Sequence, residues 1–393
     1  MTAATLERGF RWTSNIKMGV LGVLLLCTSI SGVWFFRNSQ PKTFSTSPSD
    51  VPRRFPPIAK RIFPADSEQA RSVAAACRVR LSVAPSGPVM CHMLRLYGQS
   101  DIPGWSLSSG SEILKILTDD SIAQEKLGKT FLLPTRTGFR YRLPIAGAVR
   151  TGTDGESHRD LFLAAFAELG LPLSTPIMHA SKDGRVRDLL SDSIENFDLQ
   201  QNEIAWTAIA YTIYLPDLSH WTNREGKRFD MEQLTREILS RPLASSSCGG
   251  THLLFALTLI LRSNERGHFL STASREALRD HLKCCVGVAI SAQSSDGSWT
   301  SRWERGMPIL SDHESQLSKL LITGHMMEWM EYLPDDLQPP IPVYERGAAW
   351  LCRALTEVKV INAGIWVCPW THAVCSMNNL ISDCPVRDSK KHN

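Results

Sequence analysis

The sequence predicts a mainly α fold of repeated helical hairpins, preceded by one transmembrane helix and a proline-rich linker. Three observations carry this reading. Apolar stretches separated by Gly, Pro, Ser and Asp turns recur from about residue 154 onward, with few strand-like alternations. Polar residues stand at or near the starts of those stretches at nearly regular steps. Nineteen residues close to the start, 18–36, carry no charge in a chain of otherwise ordinary composition.

Taken from the start, residues 1–17 read as a cytoplasmic N-terminus. Met18 to Phe36 is bounded by Lys17 and Arg37; at about 1.5 Å per residue it nearly spans a hydrocarbon core of roughly 30 Å. Arg8, Arg11 and Lys17 favour an N-in, C-out orientation, against which Arg37, Lys42, Arg53 and Arg54 on the far side weigh. No A-x-A-like cleavage site lies near Gly32 to Asn38, and Leu24-Leu25-Leu26 before Cys27 is too bulky for lipoprotein processing. The expected partner of this signal-anchor is therefore the membrane, with the soluble domain outside the cytoplasm. Residues 37–65 carry Pro41, Pro48, Pro52, Pro56, Pro57 and Pro64 and read as a semi-rigid stalk.

The rest of the 393 residues, 43% hydrophobic and 21% charged overall, suffices for a large core and excludes extended disorder. A formal charge of +4 is too small to imply a nucleic-acid surface. Residues 66–153 read as a lead-in packed on the main domain, with a helix from Ser67 to Arg80 and a β-prone run at Phe139 to Leu143. The main domain spans 154–385, and 386–393 is a polar tail. Leu161 to Leu169, Ile204 to Leu215, Leu253 to Leu261, Cys284 to Ala292, Leu320 to Leu333 and Ala348 to Leu355 are apolar on most of their circumference, which excludes surface helices. Amphipathic pieces such as Met231 to Leu239 lie between some of them, so two concentric layers of helices are expected.

Internal similarity agrees with a repeat. Ile204 to Asp217 and His325 to Asp335 both end in Tyr-Leu-Pro-Asp, and shorter echoes occur at Phe162 to Pro172 and after His252. His158, Glu203, His252, His325 and His372 mark the presumed inner helices at steps of 45, 49, 73 and 47 residues, the long step holding an extra helix pair.

Gln293-Ser-Ser-Asp-Gly-Ser-Trp299 resembles the Q-x-x-D-G-S-W element of terpene cyclases and related α/α-toroid proteins. The resemblance implies an α/α toroid over roughly 154–380, with a helix from Arg275 to Ala292 before the motif and an inner helix from about Leu317 after it. In the residues themselves, Asp296-Gly297 suits a tight turn, Trp299 suits packing across helix ends, and the Gln293 amide suits hydrogen bonds to helix-end groups.

The family's chemistry does not follow. Protonating cyclases carry a D-x-D-D acid cluster and ionising synthases a D-D-x-x-D magnesium site; neither is present. Asp119-Asp120 and Asp335-Asp336 read as solvated caps. Protein prenyltransferase subunits share the toroid and hold zinc through Asp, Cys and His. The corresponding candidates are Cys248, His252, Asp312, His313 and His325, with Cys248 and His252 four apart at the mouth of an inner helix. Against a metal there stands a helix capped by Thr251 with His252 hydrogen-bonded at the core rim, and no cofactor is expected unless it is zinc at Cys248 and His252. Cys368 and Cys375 read as a disulfide or as packed thiols, with one or two disulfides in the whole chain. No Gly-x-Ser-x-Gly elbow, P-loop or dinucleotide fingerprint occurs.

What remains is a ring of helix ends. Trp206, Tyr211, Trp329, Trp370 and His372 are the candidate binding residues, in a composition that suits a ligand pocket and equally a filled core. His158, Glu203, His252 and His325 are the candidate acid-base residues. The expected function is a membrane-anchored module that binds a small molecule or a protein without catalysis. The alternatives are a toroid enzyme acting on an isoprenoid or polysaccharide through its His/Glu rim, and a structural envelope protein.

Overall fold

The computed structural model describes residues 48–142, 158–217, 219–308, 314–361 and 364–382. The expected anchor at 18–36, the candidates Asp312 and His313, and the expected tail at 386–393 lie outside the described residues. Among those described, no helix is long and apolar enough to cross a membrane.

The fold is mainly helical. In chain order the helices are α1 (Glu68–Ala76), α2 (Gly87–Tyr97), α3 (Gly110–Thr118), α4 (Asp120–Leu127), α5 (Leu161–Leu169), α6 (Val186–Glu195) and α7 (Ile204–Tyr214). They continue as α8 (Met231–Ser240), α9 (Thr251–Gly267), α10 (Thr272–Ala292), α11 (Gln316–Glu331), α12 (Ile341–Glu357) and α13 (Val367–Leu380). Side-chain caps set several starts: Ser67 accepts from Ala70 N, Asp119 from Ser121 N, and Asp230 forms a capping box with Gln233. Strands are short. Arg80–Leu81 pairs in parallel with Val360–Ile361, and three hairpins join Leu132–Pro134 to Phe139–Tyr141, Pro176–His179 to Lys182–Arg185, and His220–Thr222 to Arg228–Asp230.

Six helices pack in succession: α2 on α5, α5 on α7, α7 on α9, α9 on α11, α11 on α13, and α13 back on α2. All eleven residues of α7 and Leu161 to Ala167 of α5 are buried, as helices without a polar face must be. The others lie outside this set, α6 on α5, α8 on α9, α10 on α8 and α9, and α12 on α11 and α1.

Three expectations change. The region 66–153 is no mere lead-in, because its helix α2 stands between α13 and α5 and completes the succession. Cys284 to Ala292 belongs to an outer helix: α10 buries one face through Leu278, Leu282, Cys285 and Ala289, while Cys284 is exposed. Among the described residues, the long step between His252 and His325 holds one α-helix between α9 and α11, α10, and no extra pair. Its length comes from α9 and α10 themselves and from His325 standing in the middle of α11.

The described part of the supposed stalk is docked. Residues 50–63 run past the C-terminal ends of successive inner helices, where four carbonyls per helix lack intrahelical donors. Arg53 N donates to Ile213 O at 3.1 Å, Ile58 N and Ala59 N to Glu331 O at 2.8 and 2.9 Å, and Ile62 N and Phe63 N to Leu380 O at 2.9 and 3.1 Å. The Arg54 guanidinium reaches Leu169 O at 2.9 Å, and Arg53 pairs with Asp217 at 2.7 Å.

The Gln293 to Trp299 element forms the turn that follows α10. Gln293 Nε2 donates to Gly297 O and Val343 O at 3.1 and 3.0 Å, and its Oε1 accepts from Arg346 at 2.6 and 3.0 Å. Gly297 takes φ 96°, and the buried Trp299 donates to Ala289 O at 2.7 Å.

Candidate metal centre

The opposite, N-terminal ends of α5, α7 and α9 share a local device. Each begins from a residue in the left-handed region: Asp160 (φ 60°), Glu203 (φ 56°) and Gly250 (φ 78°). Before α9 this conformation runs through Cys248 (φ 51°), Gly249 and Gly250 in succession. A non-glycine residue held there costs about 1–2 kcal/mol. Trp303 Nε1 donates to Gly249 O at 2.9 Å and Thr251 Oγ1 to Cys248 O at 2.8 Å, which holds the turn. Thr251 is thus not the cap of α9; that position is Gly250.

Onto this turn converge histidines from four helices. The rings of His252 (α9) and His325 (α11) lie 4.8 Å apart, those of His325 and His372 (α13) 3.6 Å, and those of His372 and His92 (α2) 5.4 Å. Glu203 Oε2 stands 3.5 Å from His158 Nδ1 and 3.9 Å from His252 Nδ1, and Ser247 Oγ donates to the same carboxylate. Glu328, one turn beyond His325, places Oε2 2.7 Å from His372 Nδ1 and 3.5 Å from His325 Nδ1. Arg95 donates to Glu328 at 2.9 Å and to both oxygens of Glu168 at 3.0 and 3.1 Å. His252, His325, His372 and Glu328 are all at most 9% exposed.

Burial makes the missing hydrogen bonds informative. Neither ring nitrogen of His252 has a partner at hydrogen-bond length, and neither does His372 Nε2; a buried polar atom left this way costs about 1–3 kcal/mol. Donor atoms of Cys248, His252 and His325 lie within 4.8 Å of one another, as do those of His92, Cys368 and His372, and those of His325, Glu328 and His372. Thiol and imidazole groups whose donor atoms converge this closely fit a zinc-class ion.

The electrostatics separate the groups sharply. The Cys248 thiol is held well below its ordinary value, by a hydrogen bond from Cys368 and then by His252 and His325, against the cost of burial. Cys368, as the donor, is pushed up. Burial lowers His252, but the Cys248 thiolate and Glu203 outweigh it and lift the imidazole to about 10. His92 is depressed to about 4, mainly by burial, and burial also depresses His158. Glu328 stays well below the usual carboxylate range because His372 and Arg95 overcome its desolvation.

His158, Glu203, His252, His325 and Cys248 are thus brought together, and His372 joins them. His325 and His372 sit in mid-helix and not at helix starts. Trp206 stacks on His158 at 6.3 Å and contacts His252 at 4.7 Å. Tyr211 does not belong: its hydroxyl meets Ser193 at 3.0 Å, and its ring packs on Phe197 and Trp221 in the core. Trp329 and Trp370 are fully buried and do not line the pocket beside Glu203. No disulfide joins any of the described cysteines, so Cys368 contributes a thiol and not a cross-link. Asp119 caps α4, whereas Asp120 is buried and accepts from Phe131 N and Leu132 N. Sequence reasoning missed His92, Arg95, Glu168 and Glu328. Their available signals were the i,i+3 pairs His92/Arg95 and His325/Glu328 on single helix faces.

A cavity of about 640 Å³ opens at Glu203 and His252, lined largely by polar side chains including Gln200, Asn202, Ser246 and Ser247. No family model, curated protein or solved structure matches the chain.

Proposed function

We propose that this chain is a membrane-anchored α/α-toroid enzyme that uses a zinc-class ion, held by Cys248, His252 and His325, to act on a polar substrate. One observation carries the reading: the donor atoms of these three residues, with His252 and His325 buried, lie within 4.8 Å of one another. The toroid is supported by the closed succession of six inner helices and by the Gln293 to Trp299 turn. The anchor rests on the charge-free run Met18 to Phe36. Catalysis is preferred to simple binding because three protein donors leave the fourth position of a tetrahedral site open.

Bound there, a divalent ion supplies Lewis-acid polarisation and lowers the pKa of a bound water or thiol. The chain's own residues do the rest. Glu203 orients His158 through Nδ1, so His158, partly exposed beside the pocket residue Glu203, is placed to accept a substrate proton at Nε2. Trp206 stacks on His158 and restrains the ring. The amide- and hydroxyl-lined pocket suits a polysaccharide or peptide and disfavours an isoprenoid.

The test is metal analysis of the full-length protein after gel filtration. At least one zinc-class ion per chain is expected, reduced by Cys248→Ser and by His252→Gln with the far-UV circular dichroism unchanged. Metal-free wild-type protein that still rejects added zinc or cobalt would overturn the reading.

A second reading makes Cys248 a thiolate nucleophile paired with the His252 imidazolium, with Glu203 behind it. The strained φ of 51° at Cys248 favours it. Selective alkylation of Cys248 at pH 6 in metal-free protein is then expected, and labelling spread evenly over the cysteines would dismiss it.

A further inference from the structure

We infer that the centre holds two metal ions, the second bound by His92, Cys368 and His372. This rests on the metal reading above but uses an independent set of residues. Their donor atoms lie within 4.8 Å of one another, and the set shares no residue with Cys248, His252 and His325.

The tautomers are prepared for it. His92 Nδ1 lies 2.7 Å from Pro88 O, an acceptor only, so Nδ1 carries the proton and Nε2 the lone pair. His372 Nδ1 is engaged in the same way by Glu328 at 2.7 Å, and its buried Nε2 has no partner. A ligating histidine whose other nitrogen donates to a carbonyl or carboxylate is the ordinary arrangement at protein metal sites. On α13, Cys368 and His372 are four residues apart and share one face, while His92 reaches them from α2. The two sets adjoin, since the rings of His325 and His372 are 3.6 Å apart and Glu328 faces both.

The experiment is a cobalt(II) titration of metal-stripped full-length protein, with zinc content measured in parallel. Two equivalents are expected, with thiolate-to-cobalt absorption rising through both. His92→Gln and Cys368→Ser should each leave one equivalent, as should Cys248→Ser, with circular dichroism monitoring the fold. The wild-type titration needs no variant. A single equivalent unaffected by His92→Gln and Cys368→Ser overturns the second ion and leaves the first intact. A single equivalent lost with either set means one shared ion and also overturns it. One ion that needs His92 and Cys368 but not Cys248 overturns both the two-ion centre and the first site, and no binding at all removes both.

Discussion

Gly324 of α11 and Ala373 of α13 approach so closely that a Cβ on Gly324 would stand 2.7 Å from the Ala373 backbone nitrogen. Ser376 Oγ donates to Gly324 O at 2.9 Å across the same contact. The next residues along each helix toward the centre are His325 and His372, whose rings are 3.6 Å apart. Close helix approach at a glycine is thus what juxtaposes the two imidazoles. Gly324→Ala should cost about 1–3 kcal/mol in overpacking and lower metal affinity at least about tenfold. Chelator competition and thermal melts check this, and unchanged affinity with a lowered melting temperature would separate the helix contact from the centre.

Glu328 is the common partner of those two histidines and of Arg95. Glu328→Gln keeps the shape and removes the charge that fixes both Nδ1 protons. Metal affinity should fall about 10–100-fold. The fold should survive, because Arg95 retains its two bonds to Glu168. Glu328→Ala, which also leaves a cavity and less support for Arg95, should melt lower than Glu328→Gln. Equal affinity in wild type and Glu328→Gln would show that the carboxylate orients neither ligand.

Cys248 is held in a conformation that suits glycine. In metal-free protein, Cys248→Gly removes the Cβ strain while Cys248→Ala retains it. After the entropy cost of an added glycine is offset, the Gly variant should be more stable than the Ala variant by about 0.5–1 kcal/mol. Urea denaturation of the two variants measures the difference. Stability in the order Ala above Gly would mean that Cys248 carries no strain and that its turn is set by neighbours alone.

The parts of the site that could be read from sequence were those written into single helices. α5 and α7 carry no polar face, so their extents and burial were plain, and His158, Glu203 and His252 stand at visible helix starts. α2 was hidden by Pro85 and Pro88 and by the turn-rich residues around it, so His92 was passed over. Glu328 sits within Met326-Met-Glu-Trp-Met330, an apolar run in which one acid looks like a surface position; its partner Arg95 is 233 residues away. Pairings of that range depend on how distant helices pack and leave no local trace. The docked segment 50–63 was misread for a related reason. Prolines mark an extended backbone equally well when it is free and when its remaining N–H groups bond to helix ends.

That segment supports a last expectation. Its backbone donors satisfy C-terminal carbonyls of α7, α11 and α13, and Arg54 reaches that of α5. Each such bond is worth about 0.5–1.5 kcal/mol net. Deleting residues 1–63 should therefore lower the melting temperature by about 5 °C or more, whereas deletion of a free linker changes nothing. Arg53→Met should reproduce part of the loss, because its guanidinium joins Asp217, Ser263 and Leu215 O at the end of α7. Differential scanning calorimetry of the two proteins beside wild type measures both effects. An unchanged melting temperature in the deletion would return 50–63 to the role of a spacer.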